Sequence, residues 1–133
     1  SQRTEQEEPL SQVLEQAVRV EDYRSIMLRF ADNRDLYLSL KDSFLQETED
    51  LLNTFELALV ENDKAQLLKI SHTLKGSTAT MGLTACSEEM AQVETALKEA
   101  TNDNVLEKVA ITLDMSLYRQ QVKEDLESVL REL

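Results

Sequence analysis

In 133 residues the sequence has no tryptophan, one cysteine, one histidine, one proline and two glycines. Each scarcity removes a class of answer. One cysteine cannot build an internal disulfide framework, and one cysteine with one histidine cannot assemble the usual zinc sites. A di-iron bundle needs two Glu-x-x-His motifs, whereas the residue three before the only histidine is Lys69. No run approaches the roughly 18 consecutive apolar residues of a membrane span, and residues 1–8 are acidic and lack the apolar stretch of a secretory signal. Basic residues are also few, 14 Lys and Arg against 26 Asp and Glu, a formal net charge of -12. That balance argues against nucleic acid and against direct contact with anionic membranes, which leaves a protein as the expected partner. A lone thiol suits a reducing compartment, so a cytoplasmic location is expected, with the cytoplasmic part of a membrane sensor as a variant of it.

What the chain does contain is Leu, Glu, Gln, Lys and Ala in surplus, an all-α composition. Its length is that of one ordinary domain. Residues 1–8 read as a polar lead closed by Pro9, and Leu10, Val13, Leu14, Ala17 and Val20 then recur at helical spacing. A second run, Tyr23, Ile26, Met27 and Phe30, precedes a break at Ala31-Asp32-Asn33, and the pattern leaves open whether residues 10–30 form one helix or two. The spacing predicts a helix over 35–60 with Tyr37, Leu40, Phe44, Leu51, Phe55 and Leu59 on its buried stripe, ended by Asn62-Asp63. Asp63 with Gln66 predicts a capping box for a helix running to about Met81, with Gly82 as its terminator. A helix over 83–100 carries the stripe Cys86, Met90, Val93 and Leu97. The last segment, 105–130, shows Val109, Leu113, Leu117, Val122, Leu126, Val129 and Leu130, with Asn104 and Glu107 as a second capping box and an irregularity near Asp114. Loops of two to five residues between long amphipathic helices predict an antiparallel up-down four-helix bundle, with an additional N-terminal helical segment. The division expected is residues 1–20 as linker and N-terminal extension and 21–133 as the bundle.

Against that frame of stripes, His72 stands out. At about 100° per residue, Leu67, Ile70, Leu74 and Met81 gather on one side of their helix, and His72 points opposite, toward water. Ala65, Leu68, Lys69, Lys75, Gly76 and Ala79 lie within about 60° of its direction. A glycine inside a helix costs about 1 kcal/mol relative to alanine, and open access to the imidazole is one explanation for Gly76, one turn after the histidine. Ala65 and Ala79 extend the clearing. Lys75 places an ammonium beside any group attached to the ring, and Lys64 and Lys69 add positive potential, so an anion is the natural ligand. A neutral imidazole with an exposed nitrogen is a nucleophile, and transfer of a phosphoryl group needs mainly positioning and charge neutralisation. The bland alternatives are a solvated histidine, solvated lysines at 64, 69 and 75, and Cys86 as a small core residue.

The pattern His72-Thr-Leu-Lys75-Gly76-Ser, Gly82 ten positions after the histidine and Val93-Glu94 twenty-two after it, resembles the histidine phosphotransfer (HPt) domain of two-component phosphorelays. With Phe30-Ala-Asp-Asn upstream, the resemblance extends from about Glu21 to the C-terminus and leaves residues 1–20 outside. It implies a four-helix bundle whose exposed histidine accepts a phosphoryl group on Nε2 from a receiver-domain phosphoaspartate and passes it to a response-regulator aspartate. In the related amino-terminal domain of chemotaxis kinases a glutamate at the position of Glu94 orients the imidazole through Nδ1, and Lys75 matches that family's lysine. The wheel allows this, because Glu94 sits about 70° off the apolar stripe of its helix; a solvated charge is the alternative.

The resemblance implies receiver domains of a hybrid histidine kinase and of a response regulator as partners, docking over Ala65, Leu68, Lys69, Gly76 and Ala79. No cofactor is expected in this chain, Mg²⁺ being supplied by the receiver. No Gly-rich nucleotide box, phosphate loop or nucleophile elbow occurs, so the chain is expected to carry a phosphoryl group and not to be an enzyme by itself. The choice between a free protein and the carboxyl-terminal domain of a hybrid sensor histidine kinase stays open, and the acidic lead before Pro9, which suits a linker after a receiver domain, favours the latter. A non-phosphorylated helical adaptor and a chemotaxis-kinase-type domain are the competing readings.

Overall fold

A computed structural model describes residues 19–101 and 103–133. Among the described residues the regular structure is helical throughout: α1 (Tyr23–Arg29), α2 (Arg34–Val60), α3 (Lys64–Thr80), α4 (Thr84–Glu99), α5 (Val105–Thr112) and α6 (Met115–Glu132). Helices α2, α3, α4 and α6 contact one another in a ring, α2 with α3, α3 with α4, α4 with α6 and α6 with α2. This is the four-helix bundle, with α3 and α4 the most extensively packed pair. The apolar stripe at residues 10–17 lies outside the described residues, and Val20 to Asp22 is not helical, so α1 starts afresh at Tyr23.

Short polar residues set the helix starts. Asp22, Asn33, Asp63 and Asp114 each accept the backbone N–H three residues on, satisfying one of the donors a helix N-terminus leaves orphaned. Asn104 does not act this way. Its carboxamide oxygen accepts from the Thr101 N–H, folding the turn before α5 instead of capping it, so the capping box expected there is absent. The irregularity near Asp114 is a full break: Leu113 is extended and Asp114 caps a new helix.

Gly82 terminates α3 with φ +84°, and the chain closes the end with Gly82 N–H to Ala79 O and Leu83 N–H to Thr78 O, the paired bonds of a Schellman turn. Helix α1 packs over this end. Ile26 covers Gly82, the Glu21 N–H donates to the Gly82 carbonyl at 2.8 Å, and Arg29 donates to the Ala79 and Thr80 carbonyls while pairing with Glu21. The buried Tyr37 hydroxyl donates to the Met81 carbonyl at 2.7 Å. The C-terminus of α3 is therefore held by α1 with the residue Glu21 before it and by Tyr37 of α2.

The core holds Tyr37, Phe44, Phe55, Leu67, Ile70, Leu74, Cys86, Met90, Val93, Leu97, Val122 and Leu126 among others. Two stripes differ from expectation. On α2, Leu40 is 42% exposed and Leu51 only half-buried, while Leu52 and Thr48 turn inward. On α6, Leu117 is exposed and Tyr118 is buried. The cause on α6 is the new start at Asp114, which resets the helical phase relative to α5. On α2, a helix of 27 residues meets different neighbours along its length, so no single stripe serves all of it. The Cys86 thiol is fully buried, donates to Asp125 at 3.4 Å, and is pushed up from its ordinary pKa by that burial first and by the Asp125 carboxylate second.

Candidate functional site

Helix α3 presents two chemically different faces. Leu67, Ile70 and Leu74 are buried, and the buried hydroxyls between them, Ser71 and Thr78, donate to carbonyls of their own helix. On the other face the His72 side chain is 73% exposed. Gly76 lies beside it, and no heavy atom among the described residues comes within 4 Å of a Cβ built there, apart from its own helix backbone. The two glycines of the chain thus have opposite causes. A Cβ at Gly82 would collide with the buried Ile26 side chain, whereas packing gives no reason for a glycine at 76.

Across from His72, α4 supplies Glu94, 11% exposed at the side chain. Its Oε2 lies 3.0 Å from His72 Nδ1, and its Oε1 accepts from Lys75 Nζ at 3.3 Å. Lys98, one turn further along α4, reaches the same Oε1 at 3.9 Å. Burial pushes the Glu94 carboxyl up, but the hydrogen bonds of His72 and Lys75 and the charges of Lys75 and Lys98 outweigh it and hold the group below its ordinary value. An ionised carboxylate only accepts hydrogen bonds, so the short contact requires a proton on Nδ1, and in the neutral imidazole the lone pair is then on Nε2. One further bond steadies the pair of helices: the Ser87 hydroxyl of α4 donates to the Lys75 carbonyl at 2.8 Å.

The structure brings His72, Lys75, Gly76 and Glu94 into one site. Ala65, Lys69, Gly76 and Ala79 are exposed around the histidine, and Leu68 is half-buried against the core. Lys64 does not belong with them: its ammonium donates to the Ala100 carbonyl at 2.7 Å, tying the start of α3 to the end of α4. Its charge was counted toward the patch because it shares the helix, although it lies about two turns before His72 and about 80° around from it. Two features escaped sequence reasoning. One is Lys98, whose signal was its position four residues after Glu94. The other is a shallow depression of about 300 Å³ between α2 and α3, lined by Leu40, Ser43, Phe44, Glu47, Ser77, Thr80 and Met81; it was hidden by the assignment of Leu40 to the core.

The family model described as Hpt domain matches residues 39–132, well over half of the sequence. The chain belongs to the Hpt domain family. Its match spans α3 and α4, and with them every residue of the His72 site. Among solved structures, the Hpt domain is similar to the HPT domain from the Hpt sensor hybrid histidine kinase from Shewanella. The TM-score is 0.61 and the identity 17%, covering 85% of this chain and 95% of that one. At that identity the likeness is one of fold. No curated protein matches the chain. As an Hpt domain it has a phosphotransfer role in a phosphorelay, as a carrier and not as a catalytic domain, and receiver domains are the class of partner with which such domains interact. No described helix is long and apolar enough to cross a membrane.

Proposed function

We propose that His72 is the phosphoryl carrier of this Hpt domain, and that Glu94 is what makes its Nε2 the reacting atom. The observation that supports this most is the 3.0 Å contact between Nδ1 of an exposed imidazole and a nearly buried carboxylate. Such a carboxylate fixes one tautomer, aims the ring and stabilises the imidazolium that forms as the nucleophile reacts, the orienting logic of a catalytic dyad. The Nε2 lone pair forms the N–P bond while the P–O bond to the receiver's aspartate breaks, its electron pair returning to the released carboxylate. The Nδ1 proton stays on the ring throughout, held by Glu94. Transfer onward reverses these bond changes on the aspartate of a second receiver.

Lys75 supplies positive charge beside the bound phosphoryl group, and Gly76 leaves the space through which the receiver's aspartate comes into line with Nε2. Mg²⁺ belongs to the receiver, where it neutralises the phosphoryl oxygens, and this chain contributes no ligand to it. The receiver docks over Ala65, Leu68, Lys69, Gly76 and Ala79 through a small transient interface. The domain begins at about Glu21, and it serves as a domain of a cytoplasmic or membrane-attached hybrid sensor histidine kinase. The similar Shewanella domain comes from a hybrid kinase, and the acidic lead of this chain suits a linker after a receiver.

Wild type and His72→Gln, incubated with a panel of phosphorylated receiver domains and followed by acid-labile label on this chain, test the assignment. Label on the wild type alone supports it. Equal label on both moves the site elsewhere, and no label on either, with both folded, favours an adaptor.

A further inference from the structure

Glu94 carries more positive charge than the orientation of His72 requires. Its Oε2 is given to the imidazole, while its Oε1 is shared by two ammonium groups, Lys75 at 3.3 Å and Lys98 at 3.9 Å. The two lysines come from different helices, one turn to either side of the His72–Glu94 pair. Lys75 lies on α3 one turn beyond His72, and Lys98 lies on α4 one turn beyond Glu94; because the two helices are antiparallel neighbours joined at residues 81–83, those turns run opposite ways. The two ammoniums are held by separate helices, and both side chains are partly open to solvent.

This sharing matters once His72 carries a phosphoryl group, a step that rests on the His72 assignment above. Lys75 is then asked for twice, by the carboxylate it already holds and by the new phosphoryl oxygens. An ammonium on a flexible four-carbon stem serves one such partner well at a time. If Lys75 turned away with nothing in its place, a side chain only 11% exposed would lose its best charged neighbour, at a cost in desolvated charge. Lys98, 68% exposed and only loosely engaged at 3.9 Å, has the freedom to close on Oε1 as Lys75 departs.

We propose that Lys98 is a positioning residue that takes over the Glu94 carboxylate when Lys75 turns to the phosphoryl group on His72. Lys98 thereby sets how fully Lys75 serves the phosphohistidine, without touching it.

The test uses the full chain, phosphorylated with phosphoramidate so that no receiver is needed; the reagent's P–N bond breaks, ammonia leaves and Nε2 takes the phosphoryl group. Phosphohistidine decay is followed by ³¹P NMR in the wild type, Lys98→Gln, Lys98→Arg, Lys75→Gln and the double variant carrying Lys98→Gln with Lys75→Gln. Exposed ion pairs of this kind change equilibria by about two- to threefold. Lys98→Gln should therefore shorten the phosphohistidine lifetime by about that factor, Lys98→Arg should restore it, and Lys98→Gln should add nothing in the Lys75→Gln background. A lifetime unchanged in Lys98→Gln overturns the proposal. So does an equal shortening with and without Lys75, which would make Lys98 a direct electrostatic neighbour of the phosphoryl group. A wild type that acquires no more phosphohistidine than His72→Gln overturns the His72 assignment itself, an outcome distinct from either of these.

Discussion

Substituting Gly76 with glutamine should raise stability and abolish function at once, a combination that a structural glycine cannot produce. A Cβ at position 76 meets no described heavy atom within 4 Å outside its own helix backbone, so the new side chain enters open space. Gly76 is interior to α3, where replacing glycine by a better helix former recovers about 0.5–1 kcal/mol. For a domain of this size that is an upward shift in thermal midpoint of about 2–5 °C. The functional effect follows from helix geometry. Cα–Cβ bonds tilt toward the helix N-terminus and positions i and i+4 are neighbours, so a glutamine at 76 leans over the His72 ring and fills the approach to Nε2. Thermal denaturation by circular dichroism paired with phosphotransfer from a cognate receiver measures both. Transfer at the wild-type rate would refute the access argument, and a lowered midpoint would refute the claim that the site is open.

Four more outcomes follow from the geometry of α3 and α4. Gly82→Ala should destabilise by about 2–4 kcal/mol, from the left-handed φ of +84° and a Cβ that collides with the buried Ile26 side chain, and urea denaturation measures it directly. Glu94→Gln should slow transfer about tenfold, since a neutral acceptor replaces a charge-assisted one. Because the folded-state Glu94 carboxyl lies below its ordinary value of 4.5, its contribution to stability is fully present above that value and is lost as the pH falls through the folded one. The stability gap between wild type and Glu94→Gln should therefore be constant near neutrality and shrink in acid; a gap that does not change with pH would contradict the ion-paired state. Lys75→Ala should slow transfer or shorten the phosphohistidine lifetime, and wild-type values for both would leave Lys75 a solvated helix lysine.

Helical periodicity, the polar caps at Asn33, Asp63 and Asp114, the terminator at Gly82 and the outward direction of His72 are all local properties. Each depends on residues within one or two turns, and so the linear order of side chains determined the α3 and α4 stripes and the exposed histidine. The motif carried the family for the same reason, because His72, Lys75 and Gly76 lie on one helix. Short-range reasoning failed where a residue's role depends on what faces it. Leu40 repeats at core spacing yet borders an open depression, and Tyr118 displaced Leu117 because the break at Asp114 resets the phase of the last helix. Asn104 has the residue type of a cap but finds its partner behind it, at Thr101. The tertiary structure alone decided that Glu94 meets Nδ1, that two lysines share its other oxygen, and that one glycine is packed against Ile26 while the other borders open space. Those facts depend on the register and distance between helices, which no periodicity within a single helix contains.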